Sequence, residues 1–158
     1  MSGPIPPHLR SINFAACELL LDLIHALKRH YAGVDMESLL ILLCVSDACM
    51  RPFMLDPVLR EQVREAPAPP EEVRGAISRL MIADKTGLAR ETVRRKVAAL
   101  VRAGLLFVDP EGRIRMTPNL TDPRGQTALE EAHQAIVRYF DRLEQLGAHI
   151  EVPAPKGR

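Results

Sequence analysis

The chain has no apolar run longer than seven residues, Leu39 to Val45, whereas a helix that crosses a bilayer needs about 20. No membrane span is therefore expected. The first residues, Met1 to Pro7, are proline-rich, and the apolar stretch after them is broken by Glu18 and Asp22, which does not read as a signal peptide. Cysteine is scarce and odd in number. Cys17, Cys44 and Cys49 lie in apolar stretches and make no Cys-x-x-Cys pair, so neither a zinc site nor a disulfide framework is expected. A reduced, cytoplasmic setting fits, with the cysteines as small core side chains. The histidines, His8, His25, His30, His133 and His149, are scattered without a pattern of partners. No glycine-rich phosphate loop, nucleophile elbow or pair of spaced carboxylates is present. The expectation is a protein that is not an enzyme, with no catalytic residue, no metal and no cofactor.

Net charge is also nearly absent, at +1 over 158 residues. That figure averages two unlike parts. Between Arg79 and Arg115 nine Lys or Arg face four Asp or Glu, a balance of +5, which leaves twelve against sixteen in the rest of the chain. One basic segment on acidic supports suits docking of a single face onto a polyanion. Of the basic residues 17 are Arg and 4 are Lys, and Arg is the side chain that forks onto phosphate and guanine edges.

What is present is mostly helical pattern. After a proline-rich arm (1–11), apolar positions from Ile12 to Leu27 have amphipathic spacing and Gly33 stops the helix. A second helix is expected over Asp35 to Met50. Its stretch Leu39 to Val45, apolar on every face, is expected to be buried from several sides and to centre the core. Asp56-Pro57 reads as a cap followed by a first-turn proline, giving a short helix to about Glu65. These make an N-terminal helical region, 12–65, for core and dimerisation. A proline-rich linker follows at 66–74, then a basic region at 75–118, a C-terminal helix at 126–150 and a tail at 151–158. On the last helix Leu129, Ala132, Ile136, Tyr139, Leu143 and Leu146 recur at three- and four-residue intervals as a seam. No internal repeat is found.

Within 75–118, Ser78 caps a helix ending at Thr86-Gly87, and a second helix runs from Arg90 to Ala103-Gly104. The connector is Gly87-Leu88-Ala89. Helix, short glycine turn and helix make a helix-turn-helix, in which the small Ala83 lets the helices approach and Val93 fills the angle between them. In the second helix Val93, Val97, Leu100 and Val101 share one face, which puts Glu91, Arg95, Ala98 and Arg102 outward, with Arg90, Arg94 and Lys96 beside them. Leu105 to Val108 and Arg113 to Met116 then read as a hairpin closed by Asp109-Pro110-Glu111-Gly112. Alternation turns Ile114 and Met116 inward and Arg113 and Arg115 outward, toward a phosphate backbone. Gly75-Ala76-Ile77 can add a third short strand.

Ile82-Ala83, then Gly87-Leu88-Ala89-Arg90-Glu91-Thr92-Val93, Arg95, Leu100 and Gly104-Leu105 together resemble the DNA-binding domain of the cyclic-AMP receptor protein family. The resemblance spans about a quarter of the chain. It implies base reading by Arg90, Glu91 and Arg95 and a phosphate contact by Thr92. The chemistry agrees, since Arg90 and Arg95 donate to guanine and Glu91 accepts from a cytosine amine. Arg94, Lys96, Arg113 and Arg115 are expected to add phosphate contacts. Two features depart from that family: Ala89 stands where a capping Ser or Thr is usual, and helices replace its ligand-binding β-roll. Long helices on both sides of the basic region are similar to the layout of MarR-type dimeric regulators.

The fold expected is mainly α, a winged helix-turn-helix with a small β-hairpin wing and long flanking dimerisation helices. The function expected is a cytoplasmic homodimer that binds double-stranded DNA sequence-specifically and regulates transcription, and no motif names a small-molecule effector. Two other readings stand beside it. One is a winged-helix adaptor for a protein partner, in which Glu91 and Arg95 form only a surface salt bridge; the other is a replication, partition or nucleoid factor.

Overall fold

The computed structural model describes residues 7–66, 69–118 and 123–148. The fold is mainly helical with one small antiparallel sheet. The chain divides into two compact units, one from residues 31–126 and the other from the two ends of the chain, up to His30 and from Thr127 onward.

In the inner unit, α2 (Met36–Leu55) is the central helix, with α3 (Pro57–Val63), α4 (Arg79–Thr86), α5 (Arg90–Arg102) and the sheet strand β2 (Ile114–Met116) packed on it. Asp35 starts α2 by accepting from the Ser38 backbone N–H at 3.1 Å and from the Ser38 hydroxyl at 2.9 Å. Leu39, Ile41, Leu42, Val45, Cys49 and Phe53 are buried, but Leu40 and Leu43 are exposed. The run Leu39 to Val45 is thus covered on one side and not on all, because the inner unit packs on one face of the helix. Cys49 is buried, Cys44 half-buried and Cys17, on α1, exposed.

The helix also outlasts its expected end at Met50. It continues through Pro52, and the segment at Gly75 closes against the gap this opens. Pro52 has no N–H to give the Ala48 carbonyl. The Gly75 backbone lies on that carbonyl and donates its own N–H to the Cys49 oxygen at 3.0 Å. A Cβ at position 75 would overlap the Ala48 oxygen and meet Pro52 Cγ at 3.0 Å. With those extra turns α2 is long and apolar enough, by length and composition, to cross a bilayer, at a mean hydropathy of 1.7. Its packed face makes it the core helix of the inner unit.

Asp56 ends α2 and caps α3, accepting from Val58 N at 2.8 Å and Leu59 N at 3.3 Å. The expected linker, 66–74, is described except at 67 and 68, and it is not a plain spacer. Glu71–Val73 form one 3-10 turn tied into the hairpin. The strand β1 (Leu106–Val108) pairs with β2, Leu106 opposite Met116 and Val108 opposite Ile114. Ile77 adds a single bridge to Ile114, through bonds of 3.0 and 2.7 Å, where a third strand was expected.

In the outer unit, α1 (Pro7–His30) begins inside the expected arm, since proline suits the first turn of a helix. Residues 1–6 lie outside the described residues, as do 149–158, which include the end of the expected C-terminal helix and the tail. Opposite α1 runs α6 (Pro123–Gln145), of which Thr127 onward belongs to this unit. Arg29 pairs with Glu131 at 2.9 Å, Asp22 with Arg138 at 2.8 Å and Glu18 with Arg142 at 2.8 Å. Residue numbers fall on α6 as they rise on α1, so the two helices are antiparallel. Ala15, Leu143 and Ala148 form their core, with Ile12 and Tyr139 at its margin.

The expected seam on α6 is only partly the buried one. Leu143 is buried and Tyr139 partly so, but Leu129, Ile136 and Leu146 are exposed, and the unforeseen Ala135 is buried in their place. The buried line on α6 thus keeps Leu143 and adds Ala135, with Ala132 and Tyr139 half-buried beside it. The other side of the pair carries Leu9 and Leu20 on α1 and Leu129, Ile136 and Phe140 on α6, all exposed.

Candidate nucleic-acid interface

Ser78 begins α4, its hydroxyl accepting from Met81 N at 3.2 Å. The helix stops at Gly87, whose φ of 72° is left-handed and favours glycine. Thr86 braces the turn. Its hydroxyl donates to the Ile82 carbonyl at 2.6 Å and accepts from Leu88 N at 3.4 Å. Ala83 on α4 and Val93 on α5 are both buried, and the two helices pack on each other.

Ala89 starts α5 without a side-chain cap. At the other end Leu105 N reaches Leu100 O and Gly104 N reaches Val101 O, both at 3.0 Å. That is the Schellman closure, and it delivers the chain directly into β1. Val93, Val97 and Leu100 are buried, so the opposite face, Glu91, Arg94, Arg95, Ala98 and Arg102, is exposed, with Arg90 exposed at the helix start.

The eight residues expected at the interface divide by what holds them. Arg90 and Arg95 are exposed, and among the described residues neither has a hydrogen bond or ion pair to another side chain. Thr92 is half-buried in the first turn. Glu91 is paired, though with Arg94 at 2.6 Å and not with Arg95. The Arg94 guanidinium holds the Glu91 carboxyl below its ordinary range and is itself raised by it. Both side chains of that fork remain exposed.

Two expected phosphate contacts are corrected. Lys96 is only 14% exposed and turns toward the start of α2, 2.6 Å from Asp35 and 3.3 Å from Glu37. Arg115 is 15% exposed and folds inward. It donates to the Asp109 carboxylate, to the Glu71 carboxylate and carbonyl, and to the Arg74 carbonyl, at 3.1 to 3.2 Å. Strand alternation does turn Arg115 away from Ile114 and Met116, but the Glu71 turn covers that second face. Only Arg113 leaves the hairpin half-exposed, with Asp109 at 3.1 Å and Glu111 at 3.2 Å. Asp109 is the buried pivot of this group. Burial pushes its carboxyl up, while hydrogen bonds from the Arg113 backbone and from Arg115 hold it, on balance, below its ordinary range.

Two cations outside the expected set belong with Arg90 and Arg95. Arg79, in the first turn of α4, and Arg102, in the last turn of α5, are exposed and without a hydrogen-bond or ion-pair partner among the described residues. The wheel that placed Arg95 outward also placed Arg102 there. Among the described residues no group of three or more His, Cys, Asp or Glu is placed to hold a metal ion. No protein-family model, curated protein or solved structure matches the chain.

Proposed function

We propose that the inner unit is a winged helix-turn-helix and that the protein is a cytoplasmic, sequence-specific regulator of transcription, acting on double-stranded DNA as a homodimer. The observation that carries this reading is the outward face of α5. Arg95 and Arg102 stand there without a hydrogen-bond or ion-pair partner among the described residues, beside the small Ala98 and with Arg90 exposed at the helix start, on a helix braced by α4 and followed directly by a hairpin. A helix so presented fits the major groove, about 12 Å wide, and Ala98 permits close approach. Arg90 and Arg95 read guanine edges. Glu91 accepts from a cytosine amine while keeping Arg94 aimed at phosphate, and Thr92, Arg79, Arg102 and Arg113 add backbone contacts. Lys96 and Arg115 have no part in contact, because each is already held within the fold.

We place dimerisation on the exposed apolar side of the α1–α6 pair; a dimer that reads a palindromic site presents its two recognition helices to successive major grooves, about 34 Å apart. The test is selection of bound fragments from a random DNA pool, followed by affinity at two salt concentrations for the parent and for an Arg90→Ala, Arg95→Ala double variant. A two-half-site consensus is expected. Each lost base reader should relax specificity at its position by about 1–3 kcal/mol. Absence of enrichment, or equal losses on all sequences, overturns the sequence-specific reading.

A further inference from the structure

The outward face of α2 carries an apolar stripe that the inner unit leaves bare. Met36, Leu40, Leu43, Met50 and Met54 lie along it, each 41–50% exposed. Together with Asp47 they recur at alternating intervals of four and three residues over the whole helix. That is the spacing of a seam between two helices. It also reads the same from either end. On one flank of the stripe Glu37 and Arg51 occupy the same position two repeats apart, and both are about half exposed. Lys96 touches Glu37 at 3.3 Å but sits closer to Asp35, at 2.6 Å. Arg51 and Lys85 hold Asp47 at 2.8 and 3.3 Å, and Arg51 Nη1 makes no hydrogen bond among the described residues. Asp56 is taken up in capping α3, two positions past Met54 and off the stripe.

We propose that this face pairs with the same face of a second copy, the two α2 helices antiparallel about a two-fold axis at Val45. Reversal sets Met36 opposite Met54, Leu40 opposite Met50 and Leu43 opposite Asp47 of the other copy. A shift by one repeat leaves two of the six positions on each copy uncovered. Charge fixes the direction. In the antiparallel pair each Glu37 lies beside the other copy's Arg51, whereas a parallel pair brings Asp47 onto Asp47 in the seam. The helix dipoles agree, since antiparallel neighbours bring opposite ends together. Asp47 enters the seam already held by its two cations, and one polar position in an apolar seam specifies register at a cost in stability. A helix pair about 30 Å long is a small interface beside the roughly 800 Å² per partner of a standard one, so the contact is weak and reversible. It is separate from the contact on α1–α6. Two different two-fold contacts on one chain link dimers to dimers.

The test is sedimentation of the full chain, without DNA, carrying Ile136→Glu and Phe140→Glu. Those changes break the proposed α1–α6 contact, so the two contacts fail separately. Reversible association in the micromolar range is expected to remain. Leu43→Glu, at an exposed position, should abolish it while circular dichroism shows the fold intact. Glu37→Arg and Arg51→Glu each set like charges against one another twice, and each should weaken self-association at least about threefold. An equimolar mixture of those two variants should associate at least as tightly as the unswapped chain, because each supplies the charge that the other lacks. Loss of a contact within one chain gives no such rescue. A chain that stays monomeric throughout the micromolar range overturns the proposal. So does a mixture that associates no better than its two components, or association that Leu43→Glu leaves unchanged.

Discussion

Lys96 Nζ lies 2.6 Å from the Asp35 carboxylate, so a cation of α5 is held at the residue that caps α2. The Lys96 hydrogen bond is the main cause that brings the Asp35 carboxyl far below its ordinary range, and Lys96 is raised in return. A depressed carboxyl contributes stability that is complete above its unfolded value, about 3.9, and is lost as pH falls below it. Asp35→Ala should cost about 1 kcal/mol through the lost cap alone. It should also flatten the acid limb of a stability-against-pH curve. Lys96→Met should destabilise the fold while leaving the salt dependence of the proposed DNA binding unchanged, whereas Arg102→Ala, at a proposed phosphate contact, should reduce it.

Gly75→Ala tests the crossing beneath α2. The added methyl meets backbone at Ala48, which cannot swing aside as a flexible side chain would. Overpacking of this kind costs about 1–3 kcal/mol, and the upper end is expected here. A lower urea midpoint at unchanged slope is the expected result, and a midpoint equal to the parent's would show that the segment gives way freely.

Arg113 and Arg115 stand two residues apart on one strand face, yet they should behave oppositely. Arg115→Ala leaves the buried Asp109 with the half-exposed Arg113 as its one guanidinium partner and removes the Arg115 tie between Glu71 and the hairpin. Thermal unfolding should occur at lower temperature. Arg113→Ala should leave stability near the parent's and reduce the slope of log affinity against log salt by about one phosphate contact.

Phe140, 60% exposed, lies on the side of α6 turned away from the ion pairs with α1. Replacing it with Glu puts a charge in the middle of the exposed apolar stripe. Sedimentation should show the proposed dimer dissociating toward monomer while helix content is retained. A dimer that survives Phe140→Glu and Ile136→Glu together would have to form through another surface.

Much of the inner unit was legible because its signals are local. Ser78, Gly87 and the Ala103-Gly104 stop fix α4 and α5 within a few residues of themselves, and Asp109 to Gly112 closes the hairpin. The outward placement of Arg95 follows from helical period alone. Where a side chain's partner lies far along the chain, the pattern is silent. Nothing near Arg115 announces Glu71, and nothing near Lys96 announces Asp35. Periodicity on α6 identified an apolar seam, but which of its members are buried depends on how α1 lies against it, and the ion pairs to Glu18, Asp22 and Arg29 join residues far apart in the sequence. The expected end of α2 at Met50 fails for a related reason: the helix runs on through Pro52 to Leu55, and Gly75, which packs against its backbone there, is distant in sequence.

The three ion pairs between α1 and α6 join residues separated by 102 to 124 positions. The whole inner unit is therefore an insertion between the two strands of a helical clasp. During synthesis α1 emerges ahead of the inner unit and can meet α6 only after the ribosome has made everything between them. The inner unit, whose contacts lie within residues 31–126, can fold before the clasp shuts. Shutting it brings distant parts of the chain together, which makes it the step most sensitive to chain entropy. A nascent chain stalled before α6 should thus carry a finished inner unit and an α1 whose apolar side is open to chaperones.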